Sequence, residues 1–261
     1  AGGSRRASLT YAGRLDVVSQ QKQSSEDGVA VCEESRKVLA GLGALDLSDL
    51  TATSRYADVA DTQVRLLTRL RRFDEAERLE QEVYDLVEKA LTKRPGDIRS
   101  MGNRFYAAEQ LSTIAIARHD YSAAARHAAR SEQAGEEVVR FNPSDPGLWS
   151  LWARGRFRVA IAHAQQGEVD RAIDALRSAA ALRDDPRAPS AVRSSDSWVW
   201  FNLAFWEAQA GQHAAAERSL AAGLKADEES IKVLPEGDVR RAMVDAEGTF
   251  RRARIKLTQG D

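Results

Sequence analysis

One cysteine, Cys32, stands alone in 261 residues, so no disulfide can form within the chain. Such cysteine poverty fits a reducing compartment and is also compatible with an exported domain. Six prolines leave most of the sequence free to form uninterrupted helix. No run of about 18 apolar residues occurs, so no segment reads as a membrane-spanning helix. The formal net charge is −1, with no basic excess to neutralise phosphates, and nucleic acid is not an expected partner. Catalytic motifs are missing as well: there is no HExxH, GxSxG, phosphate-binding glycine loop or CxxC. The histidines, His119, His127, His163 and His213, are scattered. Cys32 lies on an apolar helical stripe, the usual place for a buried structural thiol. Glu136-Glu137 and Asp184-Asp185 are sequence neighbours, which point in different directions on a helix and make poor acid-base pairs or metal sites. No catalytic residue, metal site or cofactor is expected, and the chain reads as a non-enzyme.

What the sequence does contain is a repeat. The segments Arg72-Phe73-Asp74-Glu75-Ala76, Asp120-Tyr121-Ser122-Ala123-Ala124, Glu168-Val169-Asp170-Arg171-Ala172 and Gln212-His213-Ala214-Ala215-Ala216 share one pattern. Their last alanines are spaced 48, 48 and 44 residues apart. In three of the four, a proline (Pro95, Pro143 or Pro235) follows that alanine by 19 residues, where it stops a helix. Between these marks apolar residues recur at helical spacing, as in Phe73, Ala76, Leu79, Val83, Leu86, Val87 and Ala90, or Tyr121, Ala124, Ala128, Ser131, Gly135 and Val138. A second amphipathic helix precedes each of these, marked by Val64, Leu67 and Leu70, by Leu111, Ile114 and Ala115, by Val159 and Ala162, and by Leu203, Trp206 and Ala210. The unit is therefore a helical hairpin, and one hairpin cannot bury its apolar stripe without neighbours.

These residues resemble the tetratricopeptide repeat (TPR) family. The best match is Trp200-Phe201-Asn202-Leu203-Ala204 followed by Gly211, His213 and Ala216. Ala160, Gly167, Val169 and Ala172 follow the pattern in the third repeat, and Leu111, Ser112, Tyr121 and Ala124 in the second. The first repeat has Phe73 and Ala76 but carries Arg71 where the family has glycine. The pitch of 48 exceeds the family's usual 34 by about seven residues in each helix, nearly two full turns, so the same stripe continues along longer helices. Similar long-helix arrays are attached to bacterial kinases and transcription regulators. The resemblance implies an all-α, right-handed α-α superhelix, a TPR-like solenoid of four to five hairpins.

The expected boundaries are a degenerate hairpin at 8–43, repeats at 53–95, 97–143, 145–186 and 190–235, and a capping helix at 238–258, all within one domain over 5–261. Gly41 and Gly43 are read as ending the first hairpin, Leu45 to Thr53 as its link to the next, and Arg183 to Ser195 as a loop. Ala1-Gly2-Gly3-Ser4 reads as an expression scar.

In the family, first helices line a concave groove. By that resemblance Arg65 and Arg69 (with Asp58 and Asp61) face it from the first repeat, Arg154, Phe157 and Arg158 (with Ile161) from the third, and Trp198, Phe201, Asn202, Phe205 and Gln209 from the fourth. Asn202 matches one position of the family's clamp for C-terminal carboxylates, whose lysines have no counterpart here, so that specificity is not carried over. The function expected is a protein-protein interaction scaffold that holds a peptide or helical segment by aromatic anchors flanked by arginines. Arg158→Glu or Phe201→Ala is then expected to weaken partner capture without loss of fold. The alternative is a sensory or regulatory ligand-binding domain of a larger bacterial signalling protein. A cytoplasmic location is expected, or else a soluble domain of a membrane-anchored protein.

Overall fold

The computed structural model describes residues 25–189 and 197–232. Among them the chain is all-α, with no strand. The helices are α1 (Ser25–Gly41), α2 (Leu50–Arg69), α3 (Phe73–Lys93), α4 (Ile98–Ala117), α5 (Tyr121–Phe141), α6 (Pro146–Gln165), α7 (Val169–Ala180, continued by a 3-10 turn over Ala181–Asp184), α8 (Ser197–Gln209) and α9 (His213–Lys232). The chain divides into two compact units, one up to Ala134 and the other from Gly135 onward. In unit 1, α2 packs on α1, α3 and α4, and α3 packs on α4; in unit 2, α6 packs on α7, α7 on α8 and α8 on α9.

Local chemistry sets the start of the first helix in three hairpins and the turn inside all four. Asp49, Asp97 and Asp145, spaced at the repeat pitch of 48, precede α2, α4 and α6 in extended backbone. Their carboxylates accept from the first free amides, Thr51 and Ala52, Ser100, and Gly147. Such caps contribute about 1 kcal/mol each. The tight turn inside each hairpin is one structure used four times. The amides of Arg72, Asp120, Glu168 and Gln212 donate back to the carbonyls of Leu67, Ala115, His163 and Glu207 at 2.8–2.9 Å, which closes the preceding helix. The residue before each donor is left-handed: Arg71 (φ 60°), His119 (φ 63°), Gly167 (φ 78°) and Gly211 (φ 73°). Arg71 thus adopts the conformation for which the family pattern has glycine.

The repeat alanines explain the register. Ala76, Ala124, Ala172 and Ala216 are all fully buried, because two helices can approach closely only over a small side chain. Around them unit 1 builds a core from Val59, Val64, Leu67, Leu79, Val83 and Val87, and unit 2 from Ile173, Leu176, Val199 and Leu203. Ser112, a small residue of the second repeat, donates its hydroxyl to the Ala124 carbonyl at 3.0 Å.

Helix α1 is the second half of the expected first hairpin; the first half, and the capping helix at 238–258, lie outside the described residues. So does the end of the loop after Pro189. The link between α1 and α2 is shorter than expected. It stops at Asp49, because that carboxylate starts α2 at Leu50, three residues before Thr53.

Candidate functional site

In each repeat the first helix carries a stripe at fixed offsets before the repeat alanine. In unit 2 this places Arg154, Phe157, Arg158 and Ile161 on α6, and Trp198, Phe201, Asn202 and Phe205 on α8, in matching order. Gln209 ends the α8 stripe and is exposed. The two helices meet at an aromatic pair: the Phe157 and Trp198 rings are 4.8 Å apart at 81°, an edge-to-face contact. Both rings are half-buried and lean on the core around Ile173 and Leu176. Phe205 is half-buried as well and meets Trp206 edge-to-face at 5.3 Å. Arg154, Arg158 and Ile161 are half-buried on the same stripe.

One expected groove residue is buried. Phe201 is only 3% exposed, with its ring directly over Gly223 of α9. A β-carbon at Gly223 would lie 2.9 Å from Phe201 Cε1, so the missing side chain is what admits the ring. Phe201 is a packing residue and is corrected to that role. Asn202, next to it, is half-buried, and its amide donates to the Trp198 carbonyl one turn back at 2.7 Å.

The other tryptophans belong to the frame. Trp149 is fully buried and donates to the Pro143 carbonyl at 2.8 Å. Trp152 is buried beneath Arg156, whose guanidinium stands 4.6 Å from the ring centre and donates to the Ser178 carbonyl. Glu207, buried on the opposite side of α8, accepts from Arg177 and from the Ser219 hydroxyl, tying α7, α8 and α9 together.

On α2 of unit 1 the same stripe is made largely of charges. Arg65 and Arg69 are exposed. Arg65 pairs with Asp61 at 3.2 Å, and Asp58 with Arg99 of α4 at 2.8 Å. Burial pushes the Asp61 carboxyl above the usual range, against the pull of Arg65. Tyr106, 37% exposed on α4, shares the offset of Asp58, Arg154 and Trp198 and was missed in the sequence. Counting back 18 residues from Ala124 finds it.

Several titratable groups are engaged within the fold. Cys32 is fully buried. His163 shares a 2.7 Å hydrogen bond with Glu168, and that contact holds the Glu168 carboxyl below its ordinary range. His119 sits in the α4–α5 turn with its Nδ1 2.9 Å from the Tyr121 hydroxyl. Among the described residues no cluster of His, Cys, Asp or Glu is arranged to hold a metal ion, and no helix is long and apolar enough to cross a membrane.

The hairpin geometry has counterparts among solved structures. BtubC (BKLC) from P. vanneervenii superposes with a TM-score of 0.63 over 91% of this chain and 89% of its own, at 15% identity. A kinesin light chain of Podosopora anserina with nearly identical TPR-like repeats gives 0.58, over 86% of this chain and 95% of its own, at 16% identity. The chain has a tetratricopeptide-like fold. A single-substitution variant of that kinesin light chain gives 0.59, over 87% of this chain and 96% of its own, also at 16% identity. At this identity the likeness concerns the fold. No family model matches the sequence, and no curated protein does either.

Proposed function

We propose that the chain is a protein-interaction scaffold and that unit 2 holds a peptide or helical segment of its partner along the α6 and α8 stripes. The observation that carries this reading is the alignment of Arg154, Phe157 and Arg158 with Trp198, Asn202 and Phe205 on two helices joined at the Phe157–Trp198 contact. Half-buried aromatic rings supply anchor surface with few rotors to freeze, and arginine forks suit carboxylates and carbonyls on the partner. Asn202, its amide already engaged, retains its carbonyl oxygen to accept. Because both helices are fixed by their hairpin partners, the stripe exists before a partner arrives, which lowers the ordering cost of binding. The net charge of −1 favours a protein over a nucleic acid as that partner. The kinesin light chain among the structural neighbours has TPR-like repeats, which supports the scaffold reading at the level of fold.

The test begins with selection of peptides from a random display library on the intact chain. Binding of a selected peptide is then measured by fluorescence polarisation. Arg158→Glu and Trp198→Ala are expected to weaken it by roughly 2 kcal/mol, about thirtyfold, for a central contact. The melting temperature of Arg158→Glu should stay close to wild type. Failure to select any peptide, or undiminished binding by both variants, counts against the reading. Parallel loss of binding and melting in both would assign these side chains to the fold.

A further inference from the structure

Four residues past the repeat alanine, the second helix of a hairpin has a core position. Ala128 and Leu176 occupy it fully buried, and Leu220 half-buried. Counted in the same register from Gly28, the position on α1 is Cys32, also fully buried. In the remaining hairpin, on α3 of unit 1, it is Glu80, at 0% exposure. Neither carboxyl oxygen of Glu80 has a hydrogen-bond partner.

The neighbours do not compensate it. From α2, Asp61 acts on Glu80 with like charge, and Arg65 with opposite charge. Arg65, however, is half exposed and engaged with Asp61 itself. Asp61 keeps one oxygen, Oδ1, buried without a donor. From α4, Glu109 adds a further negative charge beside Asp61, Gln110 donates to Asp61, and Arg104 is engaged with Glu88 at 3.4 Å. From α5, Arg130 stacks over the Tyr84 ring, four residues along α3 from Glu80. An ionised carboxylate in such a place lacks both water and a partner, and a group so placed neutralises.

We propose that Glu80 is a proton-binding switch in the α2–α3 hairpin: the core accommodates its carboxyl only as the neutral acid, and that proton ties the stability of unit 1 to pH. Burial, with the Asp61 charge adding to it, raises the Glu80 carboxyl well above its ordinary value of 4.5. Below that value the folded and unfolded chains both bind the proton, and the stabilising contribution is complete. As pH rises the unfolded chain releases the proton first, so stability falls until the folded carboxyl titrates and then levels off. Asp61 is mostly buried, its side chain 20% exposed, and a cation brought to that exposed edge would ease ionisation of Glu80 and release its proton.

Two measurements on the full chain test this. Urea unfolding is followed from pH 4 to pH 9 for wild type, Glu80→Gln and Glu80→Leu, the last restoring what Leu176 and Leu220 supply. The wild-type folding constant is expected to fall relative to both variants by up to about tenfold per pH unit above the ordinary glutamate value. The second measurement is an infrared pH titration of the folded wild type with carboxyl-labelled glutamate, which needs no variant to fold. It should show the carbonyl stretch of a protonated glutamic acid persisting at neutral pH. Profiles that run parallel in wild type and variants, or no protonated-glutamate band at neutral pH, overturn the proposal.

Discussion

Fifteen residues before the repeat alanine, unit 1 places Asp61 and Glu109, and unit 2 places Phe157 and Phe201. Each pair sits on the first helices of successive hairpins, at one place in one register. The aromatic choice binds helices together: Phe157 joins Trp198 across α6 and α8, and Phe201 fills the space over Gly223. The acidic choice requires partners: Asp61 has Arg65 and a hydrogen bond from Gln110 but keeps one buried oxygen without a donor, and neither oxygen of its neighbour Glu80 has any. The hairpin turns differ in the same sense. Unit 2 uses Gly167 and Gly211 at the left-handed residue, where unit 1 forces Arg71 and His119 into a conformation that costs side-chain-bearing residues about 1–2 kcal/mol. The comparison teaches that one backbone plan tolerates opposite chemistry at a position, provided the residue facing it changes as well.

The largest expected effect tests the aromatic half of this comparison. Phe201→Ala should destabilise unit 2 by about 3–5 kcal/mol in urea unfolding, as expected for a buried ring whose site cannot collapse. A loss below about 1 kcal/mol would return Phe201 to the exposed stripe. The turns provide an intermediate case of opposite sign. Arg71→Gly should stabilise unit 1 by up to about 1 kcal/mol, and Gly211→Ala should destabilise unit 2 by about 1–2 kcal/mol, both read as shifts of the urea midpoint. If both substitutions destabilise, the left-handed turn is not under the strain its φ values indicate. The smallest effect belongs to the exposed charges. Arg99→Ala, which removes the partner of Asp58, should change stability by less than about 1 kcal/mol and lose even that in high salt, because both side chains are roughly half exposed.

Much of this could be read from the chain. The alanine spacing located the close approaches because only a small side chain lets two helices meet, and Pro95 and Pro143 fall just past the ends of α3 and α5 for want of an amide hydrogen. The Asp49, Asp97 and Asp145 caps recur at the same pitch and place the start of α2, a spacing that the expected link through Thr53 did not use. Reading down the register position by position also marks Glu80 as the charged exception among Cys32, Ala128, Leu176 and Leu220. Phe201 was harder. It is adjacent to Asn202, and a step of about 100° around the helix separates a stripe residue from a buried one. Which side of that step it occupies depends on α9, where Gly223 leaves a gap that Val83, Ser131 and Ala179 do not leave in the other hairpins.

The amino-acid order by itself determined the helical hairpins, their pitch and their turns, because propensity, capping and apolar period act within a few residues of one another. Only the packed structure decided which stripe residues stay open and which carboxyls lose their water. Burial is set by the side chain on the facing helix, which lies a dozen or more residues away along the chain and a few ångströms away in space.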